Sequence, residues 1–143
     1  MNQYREMTKR HQDEVNAFPM FAAFNEAQLE EGMRKLGINP SPRNRSKITS
    51  IGYGMYVRKS DVDALREMLR SHSKEKADAI AADLTGETFI KSMFVAEMEN
   101  HEYSYTMDLT DTLHALGLTR SQVFETPVLL RGLKLAHDEI LGG

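Results

Sequence analysis

The sequence predicts a predominantly helical α+β domain, with five to seven helices and a small antiparallel β-sheet. Three observations carry that expectation. Apolar residues recur at helical spacing through nearly all of the chain after Ser60. A short glycine-containing connection joins Ile48-Thr49-Ser50-Ile51 to Met55-Tyr56-Val57 and marks a hairpin at about 47–59. The 143 residues, 41% hydrophobic and 27% charged, suit a single domain, 1–143. A chain of this length buries roughly 68–70% of its unfolded surface, enough for a core without covalent staples.

The first element is a helix, because Tyr4, Met7, His11 and Val15 follow helical spacing. Its polar surface leaves residues 1–17 as a loosely attached or partner-docking helix. The apolar run Phe18–Phe24 reads as a third strand, with Pro19 favouring an edge. Asn25 caps the next helix, with Gln28 at capping-box spacing; Leu29, Met33 and Leu36 form its stripe and Gly37 ends it. Asn39–Ser46 reads as a loop and Lys47–Lys59 as the hairpin.

Ser60 is the next cap, followed by the stripe Val62, Leu65, Met68 and Leu69. Ser73 opens a separate segment that Thr85-Gly86 breaks. A helix then runs from Thr88 to Glu102, a short one follows Asp108 and stops at Gly117, and Thr119 with Gln122 makes a capping box. The last helix runs from near Pro127 to Leu141, with Pro127 tolerable in its first turn.

Several function classes are excluded or disfavoured. The sequence has no cysteine, so it has no disulfide, thiolate metal site or cysteine nucleophile. The opening stretch lacks the apolar core of a secretory signal, and the most apolar run is far short of a membrane span, predicting a soluble, cytoplasmic protein without a membrane role. Gly52-Tyr53-Gly54 lacks the later glycine or lysine of a phosphate loop, and Ser104 and Ser121 lack a nucleophile-elbow context. His101-Glu102 begins like a zincin helix, but Tyr105 stands where the second histidine is required. The expectation leans away from an enzyme, and no cofactor is implied.

Charge is unevenly distributed. Residues 43–76 carry nine basic and four acidic side chains, whereas 77–143 carry four basic and eleven acidic. Such polarity can steer an oppositely charged partner. The basic stretch holds Arg43, Arg45, Lys47, Arg58 and Lys59, interleaved with Tyr53 and Tyr56, a combination that can hold single-stranded nucleic acid. The pI of about 6.0 argues against that partner, and no recognition helix is evident. The acidic segment 78–111 could instead occupy a cationic groove as a nucleic-acid mimic.

One constellation resembles a site. On a wheel of the Thr88–Glu102 helix, Phe89, Ile90, Met93, Phe94 and Ala96 share one arc, and Glu97, Asn100 and His101 fall inside it. A carboxylate on a buried stripe is costly unless paired, and His101 at i+4 is within reach of Glu97. The cluster is therefore a buried hydrogen-bonded pair, a binding site that also uses Glu102 and Asp108, or, with His137 of the last helix, a metal or acid–base site.

Two stretches, FAAFNEAQLEEG (Phe21–Gly32) and EMENHEYSYTMD (Glu97–Asp108), resemble a family of small uncharacterised proteins encoded on phages and conjugative elements. The intervening order, a glycine hairpin and then helices, is also similar. The resemblance implies no catalytic role. It implies a mobile-element setting, in which small proteins often inhibit host defence systems such as CRISPR–Cas by binding them. The expectation is thus a non-enzymatic interaction protein with a protein partner. The alternatives are a metal-binding protein or metal-dependent enzyme using Glu97, His101 and His137, and a single-strand nucleic-acid binder.

Overall fold

The computed structural model describes residues 2–142. Eight α-helices and one three-stranded antiparallel sheet are found among them, so the protein is α+β and mostly helical, with one helix more than the sequence predicts. No helix among these residues is long and apolar enough to cross a membrane. The chain divides into two compact units, Met1–Gln12 with Lys74–Gly143, and Asp13–Ser73. Helix α1 (Gln3–Ala17) and helix α3 (Val62–Ala82) each contribute to both.

The smaller unit contains the sheet. Strand β1 (Phe21–Ala22) pairs with β3 (Met55–Arg58), which pairs with β2 (Ile48–Gly52), in the order β1-β3-β2. Phe21 lies opposite Tyr56, and Ser50 opposite Tyr56 on the other side. Pairing of the Phe18–Phe24 run shrinks to two residues because Pro19 has no N–H and Asn25 already turns the chain into α2 (Glu26–Lys35). The Asn25 side chain accepts from the Gln28 amide at 2.8 Å, while Gln28 Oε1 accepts from the Phe24 amide at 2.7 Å, one residue earlier than a capping box places it. Phe21 lies flat on Tyr56 (5.5 Å, 15°), and its ring fills the space a side chain at Gly32 would need. Phe21, Ala23, Met33 and Ile48 form the core here.

The hairpin turns through Tyr53 (φ 54°) and Gly54 (φ 74°), both left-handed, as the twist of a two-residue type I′ connection requires. The 39–46 segment is not wholly irregular: Pro42–Lys47 winds into a 3-10 turn, for which Pro42 supplies the φ.

The larger unit is helical. Helix α3 runs unbroken past Ser73, because the good helix formers that follow, Lys74 to Ala77, outweigh two serines. Helix α4 (Phe89–Asn100) is its centre, with every residue from Met93 to Met98 buried. Short helices α5 (Tyr103–Thr106), α6 (Thr110–Leu116) and α7 (Arg120–Glu125) follow, and α8 (Pro127–Gly142) packs along α4. Gly132 allows that approach: a methyl there would meet the Ile90 side chain and the Gly86 carbonyl. The Thr119–Gln122 capping box forms, and Gly117 ends α6 at φ 69°.

Candidate functional site

Burial of Glu97 follows from its place on α4, and the side chain is only 9% exposed. Both carboxylate oxygens are occupied. The Tyr4 hydroxyl donates to Oε2 at 3.1 Å, and the Asn100 amide donates to Oε1 at 2.6 Å. Arg5 extends the network by donating to Asn100 Oδ1 (3.3 Å) and the Ala96 carbonyl (3.2 Å). Thr112, fully buried, donates to the Glu97 carbonyl at 3.4 Å.

Burial and the neighbouring carboxylate shape the electrostatics of the groups around Glu97. Burial pushes the Tyr4 phenol up, and the Glu97 carboxylate and its hydrogen bond push it further. Burial pulls the Lys76 ammonium down, which the charge of Glu97 partly offsets; Lys76 donates to the Leu116 carbonyl at 3.3 Å. Each oxygen accepts one hydrogen bond from the protein, which holds the carboxylate in place.

The sequence-predicted residues are placed differently from one another. Asn100 joins Glu97. His101 follows the last residue of α4; its backbone N–H donates to the Glu97 carbonyl at 3.0 Å, while the Glu97 side chain is held by Tyr4 and Asn100. The cause is the chain reversal at Glu102, whose φ of 55° ends the helix. Asp108 accepts from the Thr110 amide (2.9 Å) and hydroxyl (2.7 Å), and these bonds hold its carboxyl below the usual carboxylate range. His137 pairs with Tyr103, the phenol lying 3.0 Å from Nδ1. Among the described residues no three His, Cys, Asp or Glu side chains are grouped to hold a metal ion.

Sequence reasoning overlooked two groups. Tyr4 was placed on the α1 stripe, but nothing local tied it to Glu97. Asp83, 6% exposed, accepts from the amides of Gly86 (2.9 Å), Thr88 (3.1 Å) and Ile90 (2.9 Å) at the corner between α3 and α4. Burial alone would raise its carboxyl, yet these donors hold it below its ordinary value. The Asp83-Leu-Thr-Gly86 spacing, a side-chain acceptor three residues before a left-handed glycine, is the signal that could have found it.

In the smaller unit the basic stretch separates into paired and exposed cations. Arg45 is paired with Glu26, and Arg58 with Asp61 at 2.7 Å and the Leu36 carbonyl at 3.3 Å. Arg43, Lys47 and Lys59 are exposed. Tyr56 lies against Phe21, whereas Tyr53 at the hairpin tip is 98% exposed. The Phe24 ring, 77% exposed, lies over Gly54, the residue after Tyr53.

The geometry defines a helical α+β protein with a hydrogen-bonded network around buried Glu97 in one unit and an exposed aromatic hairpin tip in the other. A model of a family of unknown function, DUF7659, matches residues 3–139, and the chain belongs to that family. Neither the curated proteins nor the solved structures give a match.

Proposed function

We propose that this chain is a non-enzymatic interaction protein whose hairpin face, in the smaller unit, engages a protein partner. The observation that carries the reading is Tyr53. It stands 98% exposed in a left-handed conformation that asparagine or glycine would adopt more cheaply, beside an exposed Phe24. Large exposed aromatics are characteristic anchors of protein interfaces. Arg43, Lys47 and Lys59 lie on the same sequence stretch and suit an acidic partner surface. The resemblance to small proteins of phages and conjugative elements makes a host defence component, such as a CRISPR–Cas effector, the first partner class to try.

The test is capture of partners from host cells by the tagged protein, run beside Tyr53→Ser/Phe24→Ser, with defence activity measured in parallel. Specific capture and inhibition that the double variant loses support the reading. If no host protein is retained and no defence system is blocked, or if the variant behaves like the parent, the reading fails. The same exposed cations and Tyr53 favour a second reading, binding of single-stranded nucleic acid. It requires affinity for oligo(dT) that falls steeply with salt.

A further inference from the structure

Helices α5, α7 and α8 line a half-open cavity of about 290 Å³ in the larger unit, distinct from the Glu97 network. Leu109, Phe124, Leu130 and Leu133 supply apolar walls, and Tyr103 and His137 a polar one. The local backbone sets that polar wall deliberately. Helix α5 is a single turn bounded by two non-glycine left-handed residues, Glu102 (φ 55°) and Met107 (φ 56°), and it places the Tyr103 ring, 6% exposed, edge-on to His137 at 5.7 Å. When the phenol donates to Nδ1, the neutral imidazole carries its proton on Nε2. At the mouth lies the exposed Lys134; among the described residues no acceptor pairs with its ammonium. Exposed Asp138, one turn further on α8, lies on the same mouth.

We propose that this cavity binds a small apolar monocarboxylate. The apolar walls take the body of the ligand, as in small-molecule sites with a few convergent polar groups. Lys134 supplies one donor for a carboxylate, and His137 supplies a second from Nε2 in the tautomer that accepts from Tyr103. Asp138 repels any negative charge at the mouth, which Lys134 offsets for one carboxylate and not for two. Phe124, 49% exposed, is the wall such a ligand would cover.

Hydrocinnamate is the probe, titrated into the full chain while the methyl resonances of Leu109, Leu130 and Leu133 are followed. Hydrocinnamide (neutral head) and benzylmalonate (two carboxylates) are the comparisons. The expected result is saturable shifts with hydrocinnamate, affinities about tenfold or more weaker for both comparisons, and a similar loss in Lys134→Met. Leu130→Phe, which fills the cavity from a half-buried position, abolishes the shifts while the protein stays folded. The proposal is overturned if hydrocinnamate gives no saturable shift, if acid and amide bind equally, or if binding survives Leu130→Phe.

Discussion

The Tyr4 hydroxyl reaches Glu97 Oε2 across 93 positions of sequence, at 3.1 Å, and ties the start of α1 to the last turn of α4. Asn2 and the Tyr4 amide add hydrogen bonds to the Ser92 carbonyl (2.9 Å) and Ser92 Oγ (3.2 Å) one turn earlier. The first turn of a helix whose outer surface is strongly polar is thus anchored by one buried phenol and these hydrogen bonds.

Removing one partner of this pair should cost about 1–3 kcal/mol, because the other is left buried and unsatisfied. Tyr4→Phe and Glu97→Leu, combined in a double-mutant cycle of urea unfolding, should together destabilise by less than the sum of the two single losses. Strictly additive effects would mean that the bond contributes nothing to stability.

The same pair predicts an alkaline limit. A tyrosine whose folded pKa lies above its ordinary 10.0 stabilises the fold fully below pH 10, and that stability is lost as pH rises through the folded value. Phenolate absorbance should show a late-titrating component from Tyr4. In Tyr4→Phe the late component should disappear, and with it the part of the alkaline stability loss that begins at pH 10.

Asp83 predicts an acid limit of opposite sign. Its folded pKa is depressed, so its contribution is present above the ordinary 3.8 and fades as pH falls through the folded value. Asp83→Ala should cost about 2–3 kcal/mol, since it strands the buried amides of Gly86 and Ile90 at the α3–α4 corner. Thermal unfolding at neutral pH measures this, and an unchanged midpoint would refute it.

Tyr53 should show the opposite balance of stability and function. Tyr53→Asn suits the left-handed φ at this position and should raise stability by about 1 kcal/mol, the scale of the left-handed penalty. If the residue is an anchor, the stabilised variant should also lose its partner. A variant that is more stable and equally active would make Tyr53 an ornament of the turn.

Much of the fold could be read locally. The capping residues Asn25 and Thr119, the stop at Gly117 and the hairpin all depend on side chains within a few positions of one another. Burial of Glu97 was legible for the same reason, since a helix stripe is a periodic signal. Its partner was not. Reach alone favoured His101 at i+4, but Glu102 ends the helix before that pairing can form, and the satisfying phenol comes from another helix. The Ser73 boundary failed differently: serine caps a helix only where the chain enters from an extended conformation, and here it arrives already helical. The pairing of His137 with Tyr103 is likewise a tertiary event, invisible to spacing within α8.

The sheet treats its two margins unequally. On one side β1 offers only two residues after a proline, too little backbone to template the addition of another chain. On the other, β2 runs for five residues and carries Ile51, which is 40% exposed, next to its last residue. Self-association at high concentration should therefore begin along β2, and a charged residue in place of Ile51 would serve as its gatekeeper.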